Sequence, residues 1–413
     1  MDSFDEELAR RLASLREQGL YRELRCIESP QLPHIEMNGK PFLSFSSNDY
    51  LGLANDPILK EAAIKAVEHF GAGAGASRLI CGSLAPHQEL DEALADFKRT
   101  EAALSFSTGY ATAIGTICAL LGKDDVIVLD KLVHACVVDA ARLCGAKLRV
   151  FAHNDLNDLE KILRWSSIPR SAGLSGGTLK RGLRQPRTLV VTESVFSMDG
   201  DCAPLREIVA LKEKYGAWLM VDEAHSTGLY GANRCGLAEE AGVSGRIEIQ
   251  MGTLGKALGA SGGYICGSRA LIDYLVNRAR SFIFSTAPVP AAAAAATAGI
   301  RFVQSQAGEA RRNLLWHRVD GMKSNLKTRN SEFRSAIIPF LIGDETQAVE
   351  AAAKLREQGI FIPAIRYPTV APGRARLRVT LTAAHTEADV RQLLDALGNL
   401  KLATPLHACG VGN

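Results

Sequence analysis

Residues 217–225 read Ala-Trp-Leu-Met-Val-Asp-Glu-Ala-His, "AWLMVDEAH". An unbroken apolar run of strand length fits a strand covered on both faces; a half-exposed strand would alternate. The run ends on Asp222, with His225 three residues on. A carboxylate at the end of a buried strand must find a partner, because an isolated charge is costly to remove from water. Asp is also a good helix N-cap, but a cap alone leaves His225 without a reason.

The same pattern recurs on either side. "AALSFS" (102–107), "DVIVLD" (125–130), "TLVVTES" (188–194), "IEIQMGT" (247–253) and "GYICGS" (263–268) are further apolar runs, separated by helical patterns. That alternation implies an α/β fold, a mostly parallel central sheet covered by helices on both faces. Such sheets bind ligands outside the carboxyl ends of their strands. Polar residues collect at those ends: Gly109 and Tyr110, His134, Glu193 and Ser197, Asp222 and His225, Thr253 and Lys256. Each taken singly reads equally well as a cap or a satisfied core group. Five strands delivering such residues to one edge point to a site.

Near residue 300 the pattern changes. "SAIIPFLIG" (335–343), "IFIPAIR" (360–366) and "ARLRVTLT" (375–382) read as strands, with helices through "TQAVEAAAKLREQ" and "TEADVRQLLDALGNL". Thr386 and Asp389 give the second helix a start like a capping box. The expected division is an N-terminal helix and arm (1–45), a large domain (46–295) and a small C-terminal α+β domain (296–413). The Gly-, Ser- and Pro-rich stretch 166–186 reads as a solvated loop. A phosphate-binding role for its Arg170, Lys180, Arg181 and Arg184 is the lesser reading. "HACG" (407–410) reads as a loose tail.

The bulk numbers exclude several classes. A formal net charge of +3 over 413 residues is too small to argue for nucleic acid or an anionic membrane surface. The charged, helical start lacks the apolar core of a secretory signal, and no run approaches the ~18 apolar residues of a membrane span. Nine cysteines without a C-x-x-C pair argue against a zinc site or a disulfide framework. A cytoplasmic protein with no metal, nucleic-acid or membrane partner is expected.

"GTLGKALGASGGY" (252–264) places Lys256 among glycines and small residues. An isolated Gly-x-x-Gly-Lys is more often a mobile loop. A pyridine-aldehyde cofactor with a phosphate tail, however, needs a lysine to bind its carbonyl, reactive near neutral pH. It needs an acid to keep its ring nitrogen protonated, and Asp222 is placed for that. The phosphate needs N–H donors at a helix start, which "STGYATAIG" supplies. Thr253 and Ser197 offer hydroxyls, and His134 could stack on the ring.

"SNDYLGL", "GAGASRLICGS", "STGYATA", "VTESVFSMDGD", "MVDEAHSTGLYG", "GTLGKALGASGGY" and "RYPTVAPGRARLRVTLTAAHT" together resemble the α-oxoamine synthases. These are fold-type I, pyridoxal 5'-phosphate-dependent enzymes, and the resemblance runs from about residue 40 to 400. It implies that Lys256 is the Schiff-base lysine, Asp222 the pyridinium partner, and His225 and Ser197 the donors to the ring's phenolic oxygen. It further implies that His134 stacks on the ring, that Gly109, Tyr110 and Thr253 hold the phosphate, and that Glu193 supports the cofactor. Asn48 and Arg366 would grip an amino-acid carboxylate, Arg being a good bidentate partner. Arg22, with Arg25 as a rival, and Thr369 would serve the acyl substrate. A homodimer with shared active sites is implied, Ser285 and Thr286 reaching the partner's phosphate. Tyr367 departs from the family pattern, standing where a second proline is usual.

"VFSMDGD" and the C-terminal motif resemble most the biotin-pathway member, which condenses L-alanine with a pimeloyl thioester of coenzyme A or a carrier protein. Sister activities on glycine with acetyl-CoA, or serine with a long-chain acyl-CoA, are the alternatives. A non-catalytic module on this fold is the remote one, and the intact Lys256, Asp222 and His225 weigh against it. No G-x-G-x-x-G follows a first strand, so a nicotinamide oxidoreductase is not indicated.

Overall fold

A computed structural model describes residues 3–167, 186–326, 335–400 and 407–408. Helix α1 (Phe4–Glu17) starts on a capping box between Ser3 and Glu6. The hairpin β1 (His34–Met37) and β2 (Lys40–Ser44) turns at Asn38 and Gly39, both at positive φ, as a tight hairpin requires. Next come α2 (Pro57–Phe70), α3 (Ala85–Lys98), β3 (Ala102–Phe106), α4 (Gly109–Leu120), β4 (Val126–Asp130), α5 (Ala135–Leu143), β5 (Lys147–Phe151) and α6 (Leu156–Ser167). They are followed by β6 (Thr188–Glu193), α7 (Leu205–Lys214), β7 (Trp218–Asp222), α8 (Leu237–Glu240), β8 (Ile249–Thr253) and β9 (Gly263–Gly267). Helices α9 (Arg269–Arg278), α10 (Arg280–Ile283), α11 (Pro290–Gln304) and α12 (Gln306–Leu326) then lead to β10 (Ile337–Gly343), α13 (Glu345–Glu357), β11 (Ile360–Phe361), β12 (Ala364–Ile365), β13 (Ala375–Thr380), α14 (Glu387–Gly398) and β14 (His407–Ala408).

The chain divides into two units, one of residues 56–196 and 202–310, the other of 1–55, 197–201 and 311–413. The first holds a seven-stranded sheet in the order β3-β9-β8-β7-β6-β4-β5. Its pairs are parallel except at β9, which runs antiparallel to both β3 and β8. Strands β3, β4 and β9 are buried at every residue, which is why they read as unbroken apolar runs. The register aligns Glu193 with Asp222, and Asp222 with Met251. The ends of three neighbouring strands thereby deliver side chains to one place.

The second unit carries two small sheets, β1-β2-β11 and β12-β13-β10-β14. "IFIPAIR" is therefore two strands in different sheets, broken around Pro363, which has no N–H to give a ladder. The arm of residues 1–55 folds with the C-terminal part because β2 pairs with β11, and Phe45 O accepts the Thr380 N–H at 2.8 Å. The other boundary falls at Ala310, inside α12, and not at 295. Helix α11 stays with the sheet unit, packed on α2 and α3. His407 and Ala408 are not a loose tail: they pair with Leu341 and Phe340 of β10. Most of the 166–186 stretch, including Arg170, Lys180, Arg181 and Arg184, lies outside the described residues; its first residues, Ser166 and Ser167, end α6. No helix among the described residues is long and apolar enough to cross a membrane.

Gly299 of α11 lies against the segment that carries Lys256. A Cβ added there would meet Leu258 O at 2.3 Å and cannot be accommodated without moving backbone. Gly299→Ala gains about 1 kcal/mol of helix propensity, but overpacking costs about 1–3 kcal/mol. The expected outcome is net destabilisation, read as a lower urea midpoint with an unchanged m-value; a raised midpoint would contradict this packing.

Candidate active site

The site grows from the carboxyl ends of β6, β7 and β8. Asp222, the last residue of β7, is 6% exposed, and its Oδ1 accepts the Ala224 N–H at 2.9 Å. Burial pushes its carboxyl above the usual range, while Lys256 and His134 pull it back and neighbouring Glu223 adds to the rise. The turn after β7 brings round His225, whose Nε2 lies 2.8 Å from Lys256 Nζ. Lys256 sits in the loop after β8. An amine, an imidazole and a carboxylate are thus brought together by two adjacent strands.

His134 is the N-cap of α5, its Nδ1 accepting the Cys136 N–H at 3.2 Å. Its own N–H donates to Glu193 Oε1 at 2.5 Å, so Glu193 at the end of β6 fixes where α5 begins. Burial pushes the His134 imidazole down, against the pull of Asp222, so it is neutral near pH 7. Burial likewise pushes the Cys136 thiol up to about 12, so it stays protonated beside the ring.

At the start of α4, Thr108 caps the helix by accepting the Ala111 N–H at 3.0 Å. The first N–H groups of a helix, here those of Gly109 and Tyr110, have no intrahelical acceptor. A Cβ on Gly109 would meet Thr253 Cγ2 at 2.7 Å, so only glycine lets the helix start approach the end of β8 this closely. Thr253 Oγ1 is buried and has no hydrogen-bond partner among the described residues. Unpaired N–H groups, a helix dipole and an orphaned hydroxyl fit a phosphate. The Tyr110 side chain is exposed and turns away to donate to Asp139 at 2.7 Å, so only its backbone is available to that anion.

The remaining predicted residues belong to the other unit. Ser197 O accepts from Arg378 Nε at 2.5 Å, and Asn48 Oδ1 accepts from Arg378 Nη2 at 3.1 Å. Arg378 was not singled out from the sequence; it lies inside "ARLRVTLT", where it reads as an alternating strand position. Arg366 donates to Tyr21 O at 2.6 Å, while its Nε is buried without a partner among the described residues. Burial and the charges of Arg22 and Arg25 push its guanidinium down. Arg22, Arg25, Thr369, Arg356 and Arg366 line one cleft of about 460 Å³, and Arg22 donates to Tyr367 O at 3.2 Å. Arg22 and Arg25 therefore share the cleft. Ser285 and Thr286 lie instead in the sheet-bearing unit, where Thr286 stands in a bridge with Ser77.

Asp130 shows why a strand-end acid is not by itself a signal. It closes β4 as Asp222 closes β7, but it accepts from Leu132 N, His153 Nδ1 and Asn154 N. Its capacity is taken up by the segments that follow β4 and β5.

The aminotransferase class I and II family model matches residues 40–397. The chain belongs to this family. It is 46% identical over 414 aligned residues to the 8-amino-7-oxononanoate synthase of Geotalea daltonii, covering 99% of this chain and 100% of that one. It is 44% identical to the one of Geobacter sulfurreducens, covering 95% and 97%. A serine palmitoyltransferase from S. paucimobilis with bound PLP superposes with a TM-score of 0.85 at 30% identity, covering 96% and 97%. The 8-amino-7-oxononanoate synthase of Francisella tularensis superposes at 0.69 and 26%, covering 86% and 96%. Within the family the chain is an α-oxoamine synthase of fold-type I, a pyridoxal 5'-phosphate-dependent acyltransferase similar along its length to 8-amino-7-oxononanoate synthases.

Thr253→Val removes the orphaned hydroxyl and keeps the shape. Apoprotein stability should hold or rise, because a buried unpaired group is relieved. Cofactor affinity should fall about tenfold, the worth of one hydrogen bond to a charged group. Fluorescence titration of apoprotein with pyridoxal phosphate measures this; unchanged affinity would show that Thr253 does not meet the phosphate.

Proposed function

We propose that this chain is an 8-amino-7-oxononanoate synthase, condensing L-alanine with a pimeloyl thioester and releasing carbon dioxide and the thiol in biotin synthesis. The observation that carries the reading is the 46% identity across 99% of the chain, joined to an amine, an imidazole and a buried carboxylate converging at Lys256, His225 and Asp222. When bound, pyridoxal phosphate supplies an electron sink that works while its ring nitrogen is cationic.

In this reading Lys256 is the amine that holds the cofactor's carbonyl. Its free amine would be the base that takes the Cα proton of L-alanine. Asp222, ionised, keeps the proton on the ring nitrogen. His225 and Ser197 would donate to the phenolic oxygen, and neutral His134 would stack on the ring. Glu193 holds His134 at the start of α5, while Gly109, Tyr110 and Thr253 take the phosphate. Asn48 and Arg366 grip the alanine carboxylate; Arg22 and Thr369 serve the acyl donor. The alanine Cα would then form a bond to the thioester carbonyl carbon as the C–S bond breaks, the thiolate leaving and taking a proton from solvent. The original carboxylate departs as carbon dioxide, and Lys256 returns a proton to Cα. The reading includes a cytoplasmic homodimer in which Ser285 and Thr286 reach the partner's phosphate.

The higher TM-score of the serine palmitoyltransferase makes a sister activity the alternative to test. Thiol release from pimeloyl-CoA should show a higher kcat/KM with L-alanine than with glycine or L-serine. The margin should be about tenfold, because one methyl in a pocket is worth about 1–3 kcal/mol. Faster turnover of serine with palmitoyl-CoA, or of glycine with acetyl-CoA, would transfer the chain to a sister activity.

A further inference from the structure

Behind the reacting groups lies a buried ion pair for which the proposed chemistry has no use. Lys98 ends α3, and its ammonium closes on Glu223, both side chains being 1% exposed. Lys98 Nζ also donates to Cys235 O at 2.6 Å. Glu223 Oε1 accepts the Ala238 N–H at 2.9 Å and the Ser226 hydroxyl at 3.3 Å. Ser226 in turn meets Ser194 Oγ at 2.8 Å, and Ser194 donates from N to Asp222 O at 2.8 Å. Thr227 continues the network to Tyr264, whose hydroxyl is 2.9 Å away. Glu223 thus stands between Asp222 and His225 in sequence, and every polar arm of its side chain is held.

Two carboxylates on successive residues of one buried turn repel. Left unbalanced, the Glu223 charge would favour protonation of Asp222, and a neutral Asp222 cannot keep a proton on a pyridine nitrogen. Burying an ammonium is itself costly, and a buried pair is a poor device for stability alone. Burial pulls the Lys98 amine down most strongly of any single influence, but Glu223 with Tyr264 and Cys266 together outweigh it and the net shift is upward, so the ammonium persists. Tyr264, Cys266 and Cys235 also lie around the pair, and burial pushes all three up, so they stay neutral.

We propose that Lys98 is a positioning residue for the reaction: its ammonium balances Glu223 and so keeps Asp222 ionised. The inference rests on the reading of Asp222 as the partner of the cofactor's ring nitrogen.

The test compares Lys98→Met, Glu223→Gln and the double variant as holoenzymes. The readouts are cofactor Kd by titration of apoprotein, Cα-proton exchange of L-alanine in D2O per mole of bound cofactor, and the thermal midpoint. Lys98→Met leaves an unbalanced anion beside Asp222; Kd should rise and exchange should fall, each about tenfold, the equivalent of one pKa unit. Glu223→Gln keeps the hydrogen-bond acceptor and removes the anion, so both quantities should stay near wild type even where the midpoint drops. That asymmetry separates electrostatic positioning from packing, since breaking a purely structural pair from either side should harm both variants alike. The inference is overturned by wild-type Kd and exchange in Lys98→Met, or by equal losses in the two single variants. Should Lys98→Met not fold, recovery of wild-type exchange in the double variant supports the inference, and failure to recover overturns it. Loss of exchange in the unmodified enzyme itself would count against the function, not against Lys98.

Discussion

The carboxylate of Asp222 at the end of β7 is the constraint around which this unit is arranged. It is an acid placed where solvent barely reaches it, on a strand whose Leu219, Met220 and Val221 are fully buried. Such a group is tolerated only with compensating charge and hydrogen bonds. The Ala224 N–H supplies a hydrogen bond and Lys256 a charge, and the His134 imidazole stands close by. Each arrives from a different element: the turn after β7, the loop after β8, and the start of α5.

Parallel strands make that convergence possible. Each of β4, β6, β7 and β8 ends at the same edge, and the register aligns Glu193, Asp222 and Met251 across it. The α4 helix then starts close enough to β8 that Gly109 touches Thr253. Electron-sink chemistry and phosphate binding impose opposite demands, a negative charge at one end of the ligand and N–H donors at the other. One sheet edge meets both, with a strand-end acid and a helix start.

The unbroken apolar runs made the sheet legible, and the polar residues closing them made the site legible. What stayed hidden has physical reasons. β5 is an edge strand with mostly exposed or half-exposed residues, so its "KLRVF" lacks the apolar signature. The division at Ala310 falls within a continuous helix, and helical periodicity carries no mark of a unit boundary. Pro363 does punctuate "IFIPAIR", but the sequence does not say that the halves join different sheets. Lys98 was invisible because its partner lies 125 residues away, and a lysine ending a helix reads as a favourable dipole contact. Glu223 was masked by its own motif, where Asp222 and His225 drew the explanation. Asp130 marks the converse: at strand ends, residue type marks candidates, and hydrogen-bond partners decide among them.

The central claim is that an ionised, buried Asp222 governs removal of the alanine Cα proton. The most direct measurement is deuterium exchange at Cα of L-alanine, followed by NMR without acyl donor, in Asp222→Asn protein loaded with pyridoxal phosphate. Removing one preorganised electrostatic partner should slow exchange by about a hundredfold or more while the fold is retained. Exchange at the wild-type rate would contradict the account.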